Sequence, residues 1–116
     1  MLDWKNYRAE VKSRVGDLAK RAPEAMKGYV ALATSGDKAK HLDPGTRELI
    51  ALAVAVTTKC DGCIASHVEA AVKHGVSADE ISEAMGVAIA LNAGAALVYS
   101  ARVLDCYDQM SGAPKG

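Results

Sequence analysis

Several features that mark particular classes of protein are absent or rare in this 116-residue sequence. It has no Phe and one Trp, and Ala, Val and Leu make up much of its apolar half, a mixture that suits closely packed helices. Basic and acidic residues balance at 14 each, so charge gives no reason to expect nucleic acid or an anionic membrane as a partner. The high apolar content indicates a globular chain rather than a disordered one.

A secretory leader is also not visible, because residues 1–15 are charged throughout and contain no apolar core. The longest stretch without charge, residues 84–101, contains Asn92 and two glycines and lies near the lower length limit for a membrane span. We predict that this stretch is buried protein and that the chain has no membrane partner. Three cysteines without a leader are typical of a cytoplasmic protein, where thiols stay reduced outside redox cycles.

Periodicity and capping signals predict a single all-helical domain over residues 1–116, with about six helices and no convincing strand. Apolar residues recur at steps of three and four from Trp4, and Pro23 suits the first turn of a second helix. A third helix is predicted after Asp43, a natural N-cap that is followed by proline. Residues 49–56 of this helix are apolar on every side, so we expect them to be buried.

The second half of the chain is predicted to form three more helices. They run from about Asp61 to His74, from about Ala78 to Leu91, and then to about Gln109. Gly75 suits the left-handed residue that follows the first of these helices, and Ser77 to Glu80 read as a capping box at the start of the second. The sequence Asn-Ala-Gly at 92–94 is expected to break or bend the chain.

Cys60 and Cys63 stand at the predicted start of the fourth helix, and His67 follows one turn later. Residues three and four apart share a helix face, so the three side chains line one stripe. A helix N-terminus stabilises a thiolate, the nucleophilic form of cysteine, and His67 could accept the Cys63 proton or stabilise the thiolate as imidazolium. We interpret the two cysteines as a redox-active dithiol/disulfide pair.

The cysteine pair is also compatible with roles outside redox chemistry. The cysteines could be incidental buried residues, although their spacing, the helix start and the histidine coincide. They could bind zinc with His67, but structural zinc sites usually draw ligands from two separated pairs, and His41 and His74 are isolated. A c-type haem needs His directly after the second cysteine, where Ile64 stands, and a thioredoxin-like fold needs strands that are missing here.

Two further residues and the excess of apolar surface have simple structural interpretations. Glu48 suits the first turn of the third helix, and antiparallel pairing with the fourth helix would place it nearer His67 than Cys60. Cys106 stands alone on a late helix, where a small core residue is the usual interpretation. Because the apolar faces are too numerous for so short a chain to cover, we predict a homo-oligomer.

The pattern of Glu48, Cys60-x-x-Cys63 and His67 closely resembles the alkylhydroperoxidase D / carboxymuconolactone decarboxylase family. The similarity covers about residues 40–100, and the combination of Glu, Cys-x-x-Cys and His is fairly specific to the peroxidase-like branch. The resemblance implies an all-helical fold that assembles as trimers or hexamers. One departure is Gly62, because the best-known family enzyme carries another histidine between the cysteines.

The resemblance also implies an activity, namely thiol-dependent reduction of a hydroperoxide substrate. Cys63 would be the peroxidatic cysteine and Cys60 the resolving one, while His67 and Glu48 would form a proton relay. A dithiol reductant, either a lipoylated protein or a thioredoxin-like protein, would reduce the disulfide, and no metal or organic cofactor would be needed. Two alternatives stay open: a lactone decarboxylase-like enzyme on the same fold, and a non-enzymatic redox-sensing or assembly protein.

Overall fold

The computed structural model describes residues 1–112, which form five α-helices and no β-strand. The helices are α1 (Trp4–Arg21), α2 (Pro23–Ala33), α3 (Pro44–Thr58), α4 (Asp61–Lys73) and α5 (Ala78–Ser111). The predicted all-helical fold is confirmed, and the cysteine pair lies at the start of the fourth helix as expected.

The helix boundaries follow the capping residues of the sequence. The Asp43 carboxylate accepts hydrogen bonds from the backbone N–H (3.0 Å) and the hydroxyl (2.8 Å) of Thr46, and these bonds lower the pKa of Asp43 from its ordinary value. Ser77 and Glu80 form the predicted capping box at the start of α5. Gly75, with a φ of 74°, follows α4 in the left-handed conformation that glycine adopts without strain.

The predicted break at residues 92–94 is wrong, because α5 continues through it as one helix of 34 residues. The Asn92 side-chain amide donates to the Ala88 carbonyl one turn earlier and to the Thr57 hydroxyl of α3, both at 2.8 Å. These bonds are compatible with a helical backbone, and Gly94 keeps a negative φ among alanines that favour helix. The fifth and sixth predicted helices are therefore one, which reduces the count to five.

The helices are arranged around α3, which packs against both α4 and α5. α1 packs on α4, and α2 packs against α1 alone among the described helices. At about 1.5 Å per residue, α5 is about 50 Å long and α3 about 22 Å. Much of the second half of α5 therefore extends beyond α3, the only described helix that packs against it. The described chain is elongated, with dimensions of 58 × 39 × 36 Å.

Few side chains are buried in this arrangement of helices. The buried apolar side chains of residues 1–112 are Leu52, Ala55, Ala71 and Ala88. They lie on α3, α4 and the first half of α5, so the core sits where α3 meets its two partners. A core this small, with Leu52 as its largest member, is unusual for a chain of this length.

Two apolar segments that we expected to be buried are only partly buried, in α3, or largely exposed, in α5, in the single chain. In α3, Ile50 and Val54 are 50% and 57% exposed. In residues 84–101 only Ala88 is buried, so the prediction of burial is wrong for one chain by itself. The physical reason is that α3 is the only described helix that packs against α5, and it covers one face of the first half.

α5 also has the length and the composition of a membrane-crossing helix, with a mean hydropathy of 1.6 over an 18-residue window. Core helices of soluble proteins can share these properties, so they are weak evidence by themselves. Only 6% of that window is buried within the chain, so the rest is exposed unless another surface packs against it.

Candidate active site

Cys60 and Cys63 form a disulfide at the N-terminus of α4, with their Cα atoms 5.2 Å apart. Cys60 is the N-cap residue, and its backbone is extended, with φ at −104° and ψ at 96°. Its Sγ accepts a hydrogen bond from the backbone N–H of Cys63 at 3.2 Å. A sulfur atom therefore occupies the capping position that a Ser or Asp oxygen usually takes.

The turn before the disulfide is short and sharply bent. Lys59 ends α3 in the left-handed conformation, with a φ of 55°, and the Cys60 N–H donates to the Ala55 carbonyl at 3.0 Å. Since only residues 59 and 60 separate the two helices, α3 and α4 pack as an antiparallel pair. This pairing places the disulfide at one end of the pair.

Glu48 and His67 meet across this helix pair, with 2.7 Å between Glu48 Oε2 and His67 Nδ1. The Glu48 side chain is 18% exposed and the His67 side chain 40% exposed. An ionised carboxylate only accepts hydrogen bonds, so Nδ1 carries the shared hydrogen, and Nε2 of a neutral imidazole is left as an acceptor. The predicted proximity of Glu48 to His67 is confirmed.

The four residues singled out in the sequence thus form two pairs. Cys60 is bonded to Cys63 and Glu48 is bonded to His67, but no hydrogen bond among residues 1–112 joins either sulfur to the Glu48–His67 pair. The link between the pairs is α4 itself, because His67 follows Cys63 by four residues and so lies on the same helix face.

A cavity of about 660 Å³ opens beside Glu48 and His67. It lies among the N-terminus of α3, the chain between α2 and α3, and His74 at the end of α4. Its volume is in the range of small-molecule sites. The cysteines are not part of its lining, so the cavity gives access to the acid–base pair rather than to the disulfide.

Arg47 holds the chain segment that closes one side of this cavity. Its guanidinium donates to the Gly36 carbonyl at 3.2 Å and lies 3.6 Å from the Asp37 carboxylate. Arg47 could not be recognised from the sequence, because nothing in the spacing of the chain links it to a segment eleven residues earlier. The only signal was its position beside Glu48.

α1 lies against the turn between the cysteines. A Cβ atom added at Gly62 would be 3.6 Å from Cγ1 of Val11, which is ordinary van der Waals contact. A larger side chain at position 62 would extend into the region that Val11 occupies, so the glycine allows α1 to pack closely on the start of α4.

The remaining candidates lie apart from this site. Within residues 1–112, no group of three or more His, Cys, Asp or Glu side chains is placed to hold a metal ion. Cys106 is a free and exposed thiol on the second half of α5, so its interpretation as a core residue is wrong for the single chain. No described helix packs against the second half of α5, and this explains why Cys106 is exposed.

Comparison with known proteins agrees with this architecture. Residues 23–105 match the carboxymuconolactone decarboxylase family. An uncharacterized protein of Haemophilus influenzae is 50% identical over 105 residues, which cover 90% of this chain and 93% of that protein. Uncharacterized protein 4 in the cox locus of Paracoccus denitrificans is 42% identical over 72 residues, or 62% of this chain and 65% of that one.

A solved structure is similar over nearly the whole chain. The crystal structure of apo-lpg0406, a carboxymuconolactone decarboxylase family protein from Legionella pneumophila, matches with a TM-score of 0.71 and 32% identity. The match covers 93% of this chain and 96% of that chain. By the extent of these matches, the chain belongs to the carboxymuconolactone decarboxylase family.

Proposed function

We propose that this protein is a thiol-dependent peroxidase that reduces hydroperoxides through a Cys60–Cys63 dithiol–disulfide cycle. The observation that carries the proposal is the disulfide at the N-terminus of α4, one turn before a histidine that is held by a carboxylate. Membership of the family is compatible with this activity, since the combination of Glu, Cys-x-x-Cys and His resembles the peroxidase-like branch.

The first step is attack of the Cys63 thiolate on the peroxide. A bond forms between Cys63 Sγ and one oxygen of ROOH as the O–O bond breaks, which yields a sulfenic acid on Cys63 and the alcohol ROH. His67 Nε2 takes the thiol proton before the attack and returns it to the leaving oxygen. Glu48 keeps the hydrogen on Nδ1, so that Nε2 remains the basic nitrogen.

The second step closes the disulfide, and a third step reopens it. Cys60 attacks the sulfur of the Cys63 sulfenic acid, and hydroxide leaves and is protonated to water. An external dithiol then reduces the disulfide in two exchange steps, through a mixed disulfide, and is itself oxidised to a disulfide. A lipoylated or thioredoxin-like protein has the chemistry for this role, and the cycle needs no metal or organic cofactor.

The working form in this proposal is a cytoplasmic homo-oligomer, a trimer or a hexamer. Exposed apolar side chains support it, since Leu97 and Leu104 on the second half of α5 are 75% and 69% exposed. In proteins most of the stability of a helix comes from tertiary packing of its apolar face, and no described helix provides such packing for this half. Arg102 and Asp105 interrupt the same half, which favours a second protein chain over lipid as the cover.

One observation favours a second candidate, a non-enzymatic redox sensor. The Glu48–His67 pair makes no hydrogen bond to either sulfur among the described residues, so the disulfide could form and open without acid–base help. Such a protein would respond to oxidation by a change of shape or partner. It would be oxidised once and would not consume peroxide repeatedly.

A turnover assay separates these candidates. The reduced protein is mixed with a hydroperoxide, and free thiols and remaining peroxide are measured with and without dihydrolipoamide. The proposal expects loss of two thiols per chain and repeated turnover only when the dithiol is present. Oxidation without turnover with dihydrolipoamide or reduced thioredoxin would favour the sensor, and the absence of any thiol loss would contradict both.

A further inference from the structure

A groove between α1 and α4 carries chemistry that the peroxide cycle does not use. Its volume is about 600 Å³, within the range of small-molecule sites. Apolar side chains make most of its surface, among them Trp4 of α1 and Ile64, Val68 and Val72 of α4. An open apolar surface of this extent is costly to leave in water, so an occupant with an apolar body would stabilise it.

The groove begins beside the disulfide and follows α4 to its end. Ile64, the residue after Cys63, lines one end, and Lys73, the last residue of α4, lines the other. These nine steps along a helix correspond to about 14 Å. An extended ligand of about this length can therefore contact lining residues at both ends of the groove.

Two basic residues of α1 give the groove a positive charge. Lys5 and Arg8 line it together with Lys73, while its one acidic residue, Glu69, lies 3.4 Å from the Lys73 ammonium. The chain as a whole has no net charge, so this concentration of positive charge is local. A ligand with one negative group would complement it.

Arg8 also has an unsatisfied hydrogen-bond donor. Its Nε is buried and has no hydrogen-bond partner among the described residues. Buried donors are nearly always satisfied by protein, water or ligand, and an anionic oxygen makes the strongest partner for a guanidinium. Because Arg8 Nε is inaccessible from the open groove, a bound carboxylate would be attracted by the guanidinium charge rather than by a hydrogen bond from this atom.

We propose that this groove binds monomeric aliphatic carboxylic acids in their ionised form. The alkyl chain lies along Ile64, Val68 and Val72, and the carboxylate lies beside the positive charges of Lys5 and Arg8. This proposal concerns binding alone, and it does not rest on the peroxide chemistry.

The test is calorimetric titration of the oxidised, full-length protein with decanoate, well below the concentration at which decanoate forms micelles. We expect saturable binding at one site per chain, and at least roughly tenfold weaker binding of 1-decanol, which has the same alkyl chain without the charge. Arg8→Met should weaken decanoate binding by about tenfold and leave decanol binding within about twofold.

Arg14→Met is the matched control, because the Arg14 side chain lies on the same helix, is 82% exposed and pairs with Asp17 at 2.9 Å. It should change decanoate binding by less than about twofold. Circular dichroism checks that each variant is folded. If Arg8→Met is unfolded, Lys5→Met takes its place and should weaken decanoate binding by at least about threefold.

Three outcomes would overturn the proposal: no saturable binding of decanoate, equal effects of Arg8→Met and Arg14→Met, or binding to phosphatidylglycerol vesicles without binding of free decanoate. The first is the result expected if a neighbouring copy fills the groove. Because the titration contains no peroxide, its failure leaves the peroxidase proposal untouched. A failed peroxidase assay would equally leave decanoate binding unaffected.

Discussion

His67 Nδ1 lies 2.7 Å from Glu48 Oε2, and this contact joins the second turn of α3, one turn later than the sequence suggested for Glu48, to the middle of α4. It determines which nitrogen of the imidazole is free, because the carboxylate accepts a hydrogen bond from the Nδ1–H group. It also orients the ring of a side chain that is 40% exposed and would otherwise rotate. The acid–base character of the site therefore depends on two helices rather than on the Cys-x-x-Cys segment alone.

Removal of the imidazole should slow the peroxide step. In a Cys106→Ser background, we expect His67→Ala to lower the rate of thiol oxidation by peroxide about 100-fold or more, since a positioned acid–base group contributes at least that much. Glu48→Gln should be milder, at about tenfold, because an amide oxygen still accepts the Nδ1 hydrogen. Stopped-flow measurement of thiol loss provides the rates.

The same variants should change the pH dependence of alkylation. Without His67, the Cys63 thiol loses its proton acceptor, so the rise of the iodoacetamide rate should move to higher pH. His74→Ala is the matched control, because this histidine lines the same cavity but forms no hydrogen bond with Glu48 in the described structure. Equal shifts in His67→Ala and His74→Ala would contradict the assigned role of His67.

The sulfur of Cys60 should contribute to stability as a helix cap. Its Sγ accepts the Cys63 N–H, and a Ser hydroxyl can replace it whereas Ala cannot. In a background of Cys63→Ser, which removes the disulfide, we expect Cys60→Ala to be less stable than Cys60→Ser by about 1 kcal/mol. Urea denaturation followed by circular dichroism measures the difference, and equal midpoints would show that the cap is not needed.

How far the sequence predicted this structure depends on the range of the interactions involved. Caps are local, and the starts of α3, α4 and α5 at Asp43, Cys60 and Ser77 follow from residues within one turn. The antiparallel α3–α4 pair follows from its two-residue connection, and it brought Glu48 to His67. Both kinds of feature could therefore be predicted.

The features that could not be predicted from the sequence depend on contacts between distant parts of the chain. The continuity of α5 at Asn92 uses the hydroxyl of Thr57, which is 35 residues away. The anchor from Arg47 to Gly36 has no local signature. Apolar composition indicated that residues 84–101 are covered, but it could not show that the helices of residues 1–112 leave most of this segment exposed.

Cys106 should be dispensable for the proposed cycle, although it is a free and exposed thiol. It lies on the half of α5 that extends beyond α3, whereas the disulfide is on α4. We expect Cys106→Ser to retain peroxide turnover within about threefold, since it removes no group of the thiol cycle. Turnover with dihydrolipoamide is the measurement, and a loss as deep as that of Cys63→Ser would show that Cys106 takes part.

The exposed half of α5 should mediate self-association. Light scattering at micromolar concentration should give a mass of three or six chains, and Leu104→Asp should lower it, because the change places a charge on an apolar surface that another chain would cover. Ser82→Asp is the matched control, since it adds the same charge at an exposed position of the first half. A monomer mass for the unmodified protein would contradict the oligomer.

A trapped intermediate should show which cysteine reacts with peroxide and which one then forms the disulfide. In Cys60→Ser, the Ser hydroxyl keeps a capping acceptor for the Cys63 N–H but cannot form a disulfide, so a sulfenic acid on Cys63 should persist after peroxide. Dimedone should then label Cys63, and mass spectrometry should locate the adduct there.

The reciprocal variant, Cys63→Ser, should react with peroxide far more slowly and give little adduct, because Cys60 lies one turn further from His67 along α4. Both variants carry Cys106→Ser, so that the remaining thiol is the only one in the chain. An adduct that forms faster on Cys60 would reverse the two roles and would make the helix N-terminus, rather than His67, the main source of thiolate stabilisation. No adduct in either variant, together with no peroxide consumption by the unmodified protein, would place the redox-sensor function ahead of the peroxidase.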